Sequence, residues 1–244
     1  MRKINASSSY LKNQTRKNLA KATLCLMAIA GVLAGTVYGL ISFLPAGFSA
    51  EIGIIVLSGL IAAVGFLIGF YYYQHKYRIY SGGWQGEKQV AKHLTNSLSD
   101  DYYLINDLYL HGGGGDIDHL VLAPNGIFVL ETKNWSGNIS CVGDEWYRDR
   151  GHAAGSSPSN QVKRNVTKIK SIIDSSPNLR ALGIWVEGIV VITNNHATLQ
   201  LKNATVTALK LPQLPNYLVA RGGAKRFSGE QLEAIGKEIA KQKA

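Results

Sequence analysis

Hydrophobic and polar positions change rhythm twice along the chain. Residues 1–21 are polar and basic. Two uncharged runs follow, 23 residues over 22–44 and 22 over 52–73. As helices they cover roughly 33 Å each, enough for a hydrocarbon core of about 30 Å. The pattern predicts a basic tail over 1–21 and a two-helix transmembrane hairpin over 22–75, joined through residues 45–51. Ser81-Gly82-Gly83 reads as a short break, and residues 82–244 carry the shorter periods of a folded domain.

Residues 86–98, GEKQVAKHLTNSL, place Val90, Ala91, Leu94 and Leu98 on one helical face, and Glu87 shares it. Residues 102–110, YYLINDLYL, read as a strand. Residues 115–135, GDIDHLVLAPNGIFVLETKNW, read as two strands joined by a turn at Pro124-Asn125-Gly126. Leu120-Val121-Leu122 and Ile127-Phe128-Val129-Leu130 are too apolar for a strand with one wet face, so both strands are expected to be covered on both sides. The run His111-Gly112-Gly113-Gly114-Gly115 lacks a P-loop Lys-Ser/Thr and is expected to be a flexible loop at the mouth of a site. Residues 137–148 predict a hairpin turning at Gly143-Asp144, and 160–174 a helix with Val162, Val166, Ile169 and Ile173 inward. A core strand over 184–193, a further strand over 204–211 and a last helix opened by the Ser228/Gln231 capping box complete the pattern. The order describes one α/β domain with a mixed sheet.

Charge refines this picture. Of the net +10, residues 1–21 carry +6, residues 22–75 carry −1 through Glu51, and residues 76–244 carry +5. The domain is only mildly basic, so charge alone is weak evidence for nucleic acid. Basic residues flank the apolar runs and none lies in the connecting loop. The positive-inside rule therefore puts both termini and the domain in the cytoplasm, a multi-pass arrangement in the inner (cytoplasmic) membrane over residues 22–73. A cleaved signal peptide is disfavoured, because the first run is too long for one and no clean cleavage site follows. No ionisable residue lies within either span, which argues against a transporter or proton relay. Gly31, Gly35 and Gly39, with Gly65 and Gly69, form stripes that suit close packing of the two spans, or a homo-oligomer. Cys25 and Cys141 form no disulfide framework, consistent with a reducing compartment.

The candidate chemistry sits in the central hairpin. Side chains alternate along a strand, so Asp116 and Asp118 share a face, as do Glu131 and Lys133. Carboxylates at the ends of buried strands are costly unless paired or bound to a cation. Converging carboxylates suit Mg²⁺, which can polarise a phosphoryl oxygen and lower the pKa of an attacking water. A lysine beside the acid can orient that water or meet developing negative charge. This is a phosphodiester hydrolysis site in outline. The plainer alternative is that the acids end their strands beside a loop and pair with Lys133. Likewise, Glu87 reads either as a third acid of the site or as a first-turn residue favoured by the helix dipole. Lys163, Arg164, Lys168 and Lys170 read as a solvated face, with a phosphate contact from Arg164 and Lys168 as the second reading.

Gly86-Glu87, Asp116-Ile117-Asp118-His119, the run from Gly126 through Glu131-Thr132-Lys133-Asn134, Gly137-Asn138-Ile139 and Pro158-Ser159-Asn160-Gln161 together resemble the nuclease-related domain family, NERD, over about residues 82–195. That family is similar to the PD-(D/E)xK nucleases. The resemblance implies a restriction-endonuclease-like fold in which Asp118 and Glu131 bind Mg²⁺, or Mn²⁺ in its place. It further implies that Glu87 supplements the metal shell, Lys133 serves the attacking water and Gln161 supports the site. His119 falls on the opposite strand face and is expected to be structural. Ile117 stands where the superfamily spelling has proline. The leading expectation is a membrane-anchored, metal-dependent nuclease acting on DNA. The alternative is a non-catalytic module tethering nucleic acid or a protein complex to the inner membrane, and a third reading is a structural partner in a membrane assembly.

Overall fold

The computed structural model describes residues 1–4, 10–43, 50–110, 116–149, 152–153, 155–222 and 226–242. Residues 111–115 and most of the segment between the apolar runs lie outside the described residues. Contacts divide the chain into two units, residues 10–82 and residues 1–9 with 83–244.

The first unit contains α1 (Tyr10–Phe43) and most of α2 (Ala50–Ser97), two helices long and apolar enough to cross a membrane. They run antiparallel. A Cβ built on Gly39 would lie 3.3 Å from Ile55 Cγ2, one on Gly69 would lie 3.3 Å from Cys25 Sγ, and one on Gly59 would collide with Thr36 Oγ1. These glycines serve packing between the helices. Gly31, Gly35 and Gly65 meet nothing within 4 Å, so the stripes are only partly used for it. Helix α1 begins in the basic segment, where Lys21 Nζ lies 5.2 Å from the Tyr73 ring centroid. Ser81, Gly82 and Gly83 are helical, not a break. Each mid-helix glycine costs about 1 kcal/mol relative to alanine, which buried Val90 and Leu94 a few turns on readily offset.

The second unit is built on a six-stranded sheet in the order β1 (Arg2–Ile4), β2 (Tyr103–Leu108), β3 (Ile117–Ala123), β4 (Gly126–Lys133), β8 (Val186–Ile192) and β10 (Thr207–Lys210). The β3–β4 hairpin turns through Pro124-Asn125, with Ala123 paired to Gly126. The sheet is mixed: β2–β3 and β3–β4 pair antiparallel, while β1–β2, β4–β8 and β8–β10 pair parallel. One face carries Ile105, Leu120 and Val129 into a core with Val162 and Ile169 of α3 (Pro158–Ser175), Leu179 of α4 (Pro177–Arg180), and Ile235 and Ile239 of α6 (Gly229–Ala240). The other carries Leu104, Val121 and Phe128 against Val90 and Leu94 of α2 and Leu214 and Leu218 of α5 (Leu214–Ala220). Both central strands are covered on both faces, as their unbroken apolar runs require.

Two features depart from the sequence pattern. The hairpin of β5 (Gly137–Val142) and β6 (Glu145–Arg148) turns at Gly143-Asp144 as expected, but lies in a separate four-stranded sheet. That sheet also holds β7 (His152–Ala153) and β9 (Ala197–Lys202), the latter a strand the mostly exposed ATLQLK pattern did not announce. Gly137, at φ +81, turns the chain out of the main sheet after β4. The second departure lies at the N-terminus. Arg2, Lys3 and Ile4 pair in parallel with Tyr103, Leu104 and Ile105. Ile4 packs against Gly236, and the Met1 amino group reaches Asp100 Oδ1 at 2.7 Å and the Leu98 carbonyl at 3.2 Å. The basic segment thus supplies an edge strand of the domain.

Candidate active site

Sheet register assembles the acids. Asn106 pairs with His119 and Leu108 with Ile117, so Asp107 stands opposite Asp118. His119 pairs with Leu130, and one step further along the ladder Asp118 stands opposite Glu131. Three carboxylates therefore form one row across β2, β3 and β4. Like charges facing each other across strands are destabilising unless something neutralises them. Asp107 also holds φ +50, a left-handed conformation that Asp tolerates better than most residues.

Local contacts fix each group. Asp118 Oδ2 accepts the Thr132 backbone N–H at 2.6 Å. Glu131 is buried, and its Oε1 accepts Lys133 Nζ at 2.6 Å. The Glu131/Lys133 pairing read from alternation is thus present. Gly86 sets Glu87. A Cβ at Gly86 would lie 3.0 Å from Asn134 Cβ, 3.1 Å from Thr193 Oγ1 and 3.4 Å from Thr132 Cγ2. The bare glycine lets α2 close on the ends of β4 and β8, and the next residue, Glu87, hydrogen-bonds Asp107. The hydrogen bond requires one of these two carboxyls to carry a proton.

The electrostatics follow from this crowding. Burial, then the charges of Asp118 and Asp107, push Glu87 up to about 9. Burial pushes Asp107 up to about 6. Asp118 lies well above the usual range through burial and the facing Glu131. Burial raises Glu131 as well, opposed by Lys133. Oxygen donors that resist ionising together are a donor set that suits a hard divalent cation. Asp118 and Glu131 fit such an ion best as neighbours on adjacent strands. Among the described residues, however, no three Asp, Glu, His or Cys side chains converge as one ligand set.

Gln161 stands in the first turn of α3, capped by Ser157, and its buried Oε1 has no hydrogen-bond partner. No described contact joins it to the acids. His119 is buried on the opposite face, held neutral by burial with its pKa near 3, and its Nδ1 lies 2.7 Å from Asn106 Oδ1. Asp107 was missed by sequence reasoning. Its signal is the polar Asn106-Asp107 step inside the otherwise apolar strand YYLINDLYL.

Residues 82–193 match the family model of the nuclease-related domain, NERD. The matched stretch runs from the end of α2 to the residue after β8, and so contains Glu87, Asp107, Asp118, Glu131, Lys133 and Gln161. An uncharacterised protein of Bacillus anthracis is 40% identical over 60 residues, covering 23% of this chain and 28% of that relative. The chain thus spans under a third of the length of the curated relative it matches. No solved structure matches.

Proposed function

We propose that the nuclease-related domain is a metal-dependent nuclease of restriction-endonuclease-like fold that hydrolyses phosphodiester bonds in DNA, held at the cytoplasmic face of the inner membrane by α1 and α2. The observation that carries this reading is the row Asp107, Asp118 and Glu131, with Lys133 bonded to Glu131. Asp118 and Glu131, supplemented by Glu87, would hold Mg²⁺ or Mn²⁺. The ion would supply a Lewis acid for the phosphoryl oxygen and a water of lowered pKa. Lys133 stands half-buried at the C-terminal end of β4, placed to orient a water or meet charge developing on the phosphate. Thr132 N–H fixes the Asp118 carboxylate, and Gln161 brings an unpartnered acceptor from the first turn of α3.

The second reading, a non-catalytic tether, draws on one observation. Lys133 and Glu131 already satisfy each other at 2.6 Å, as the plainer reading of the hairpin expects. The membrane topology draws support from β1. A strand at residues 2–4 and the domain that follows residue 82 share one sheet, so they lie on the same side. The test is a panel of single-stranded, duplex and branched DNA, with RNA, offered to the full chain in detergent micelles with Mg²⁺, Mn²⁺ or EDTA. Metal-dependent cutting supports the nuclease. Metal-independent binding without cutting supports the tether.

A further inference from the structure

We propose that Arg164 and Lys168, on one flank of α3, grip the phosphodiester backbone of the substrate beside the bond that is cut. The proposal rests on the nuclease reading above and names the residues that would hold its substrate. Helix α3 buries Val162, Asn165, Ile169 and Ile173. At 100° per residue, Gln161, Arg164 and Lys168 fall to one side of this stripe, while Lys163 and Lys170 fall to the other. Lys163 is taken by Asp144 at 2.6 Å, an ion pair that ties α3 to the β5–β6 turn. Among the described residues Arg164 makes no ion pair, and it is exposed.

The Arg164 flank is the one turned to the acids. Asn165 Nδ2 donates to the Asp116 carbonyl at 3.3 Å, which pins α3 to the chain entering β3. The charge of Arg164 is felt at Glu131, and Lys168 feels both Arg164 and Asp116. Two cations one turn apart repel one another. Here burial and Arg164 both lower the Lys168 pKa, so the pair is held together despite that cost. Two amide oxygens on this side, Gln161 Oε1 and Asn165 Oδ1, are buried without partners, and Asn165 is only 3% exposed.

A polyanion approaching Asp107, Asp118 and Glu131 meets repulsion, and local cations are what offset it. A guanidinium and an ammonium side by side suit successive phosphate oxygens, the first as a fork and the second as a point charge. Such contacts position the strand and carry no sequence information.

The experiment uses the full chain in micelles with fluorescent DNA. Affinity is measured against salt in a Glu131→Gln background, and kcat/KM in the otherwise native protein. Arg164→Gln/Lys168→Gln is expected to weaken binding roughly tenfold and reduce the salt slope by about 1.4 to 1.8. It should lower kcat/KM by a similar factor. Lys170→Gln/Lys202→Gln makes the same charge change elsewhere and should leave affinity, slope and kcat/KM as they were. Unchanged affinity and slope in the first pair, or equal losses in both pairs, would overturn the proposal while leaving the nuclease reading intact. A native protein that neither binds nor cuts nucleic acid would remove the reading on which it rests.

Discussion

Asp107 lies between the Asn106–His119 and Leu108–Ile117 pairs, at the position opposite Asp118, where the ladder is interrupted and its φ is +50. Two carboxylates in that relation repel, and nothing in the hydrophobic pattern demands them. Asp107→Asn keeps the shape and tolerates the left-handed φ. In EDTA at pH 8 it should stabilise the domain by about 0.2–1 kcal/mol, read as a rise in Tm of a few degrees. The added stabilisation by Mg²⁺ should shrink in the same variant. A fall in Tm in EDTA would mean that the hydrogen bond from Glu87 to the Asp107 carboxylate outweighs the repulsion from Asp118.

Glu87 gives a pH dependence with a definite sign. Its folded-state value, about 9, lies above the ordinary 4.5, so folding favours the protonated form. Stability from this group is fully present below about pH 4.5 and is lost as pH rises through about 9. Asp107 adds a loss of the same sign that is complete by about pH 6. Thermal unfolding in EDTA should therefore show Tm falling from pH 5 to pH 9. Glu87→Gln should flatten that slope. A slope equally steep in the variant would place its origin elsewhere.

Gly86 is the contact that brings Glu87 in. With neighbours at 3.0 and 3.1 Å from an added Cβ, Gly86→Val should overpack the end of β4 and cost about 1–3 kcal/mol. The helix should shift outward and the Glu87–Asp107 contact loosen. Mg²⁺-induced stabilisation should fall further than the loss of Tm alone explains. A variant with lower Tm but unchanged response to Mg²⁺ would separate Gly86 from the site.

Much of this was legible because strand chemistry is local. Alternation placed Glu131 with Lys133, the Asn125-Gly126 turn paired the central strands, and the unbroken apolar runs demanded cover on both faces. Register was not legible. That Asp107 stands opposite Asp118 depends on a loop of unread geometry, so a third acid in the row passed as ordinary strand polarity. The strand at Arg2–Ile4 was hidden for a different reason. Three residues are too short to show a period, and their charge suggested a free tail. The helix through Ser81-Gly82-Gly83 persists because packing of Val90 and Leu94 outweighs glycine propensity.

The edge strand has its own consequence. Removing residues 1–9 exposes the β2 edge and withdraws Ile4 from Gly236, so the domain should unfold earlier and aggregate. Ile4→Asp should lower Tm without removing the strand. In sealed inside-out vesicles, single cysteines at Lys3 and Lys170 should label equally with an impermeant reagent. Labelling of only one would contradict the shared sheet.

The most direct measurement is cleavage of labelled DNA by the full chain in micelles, with Mg²⁺ or EDTA, for native protein, Glu131→Gln and Lys133→Met. Mg²⁺-dependent cutting by the native protein is expected, with a loss of at least about 100-fold in each variant and folds that remain intact by circular dichroism. Native protein that is folded yet inert, or variants that cut as well as it does, would contradict a nuclease centred on Glu131 and Lys133.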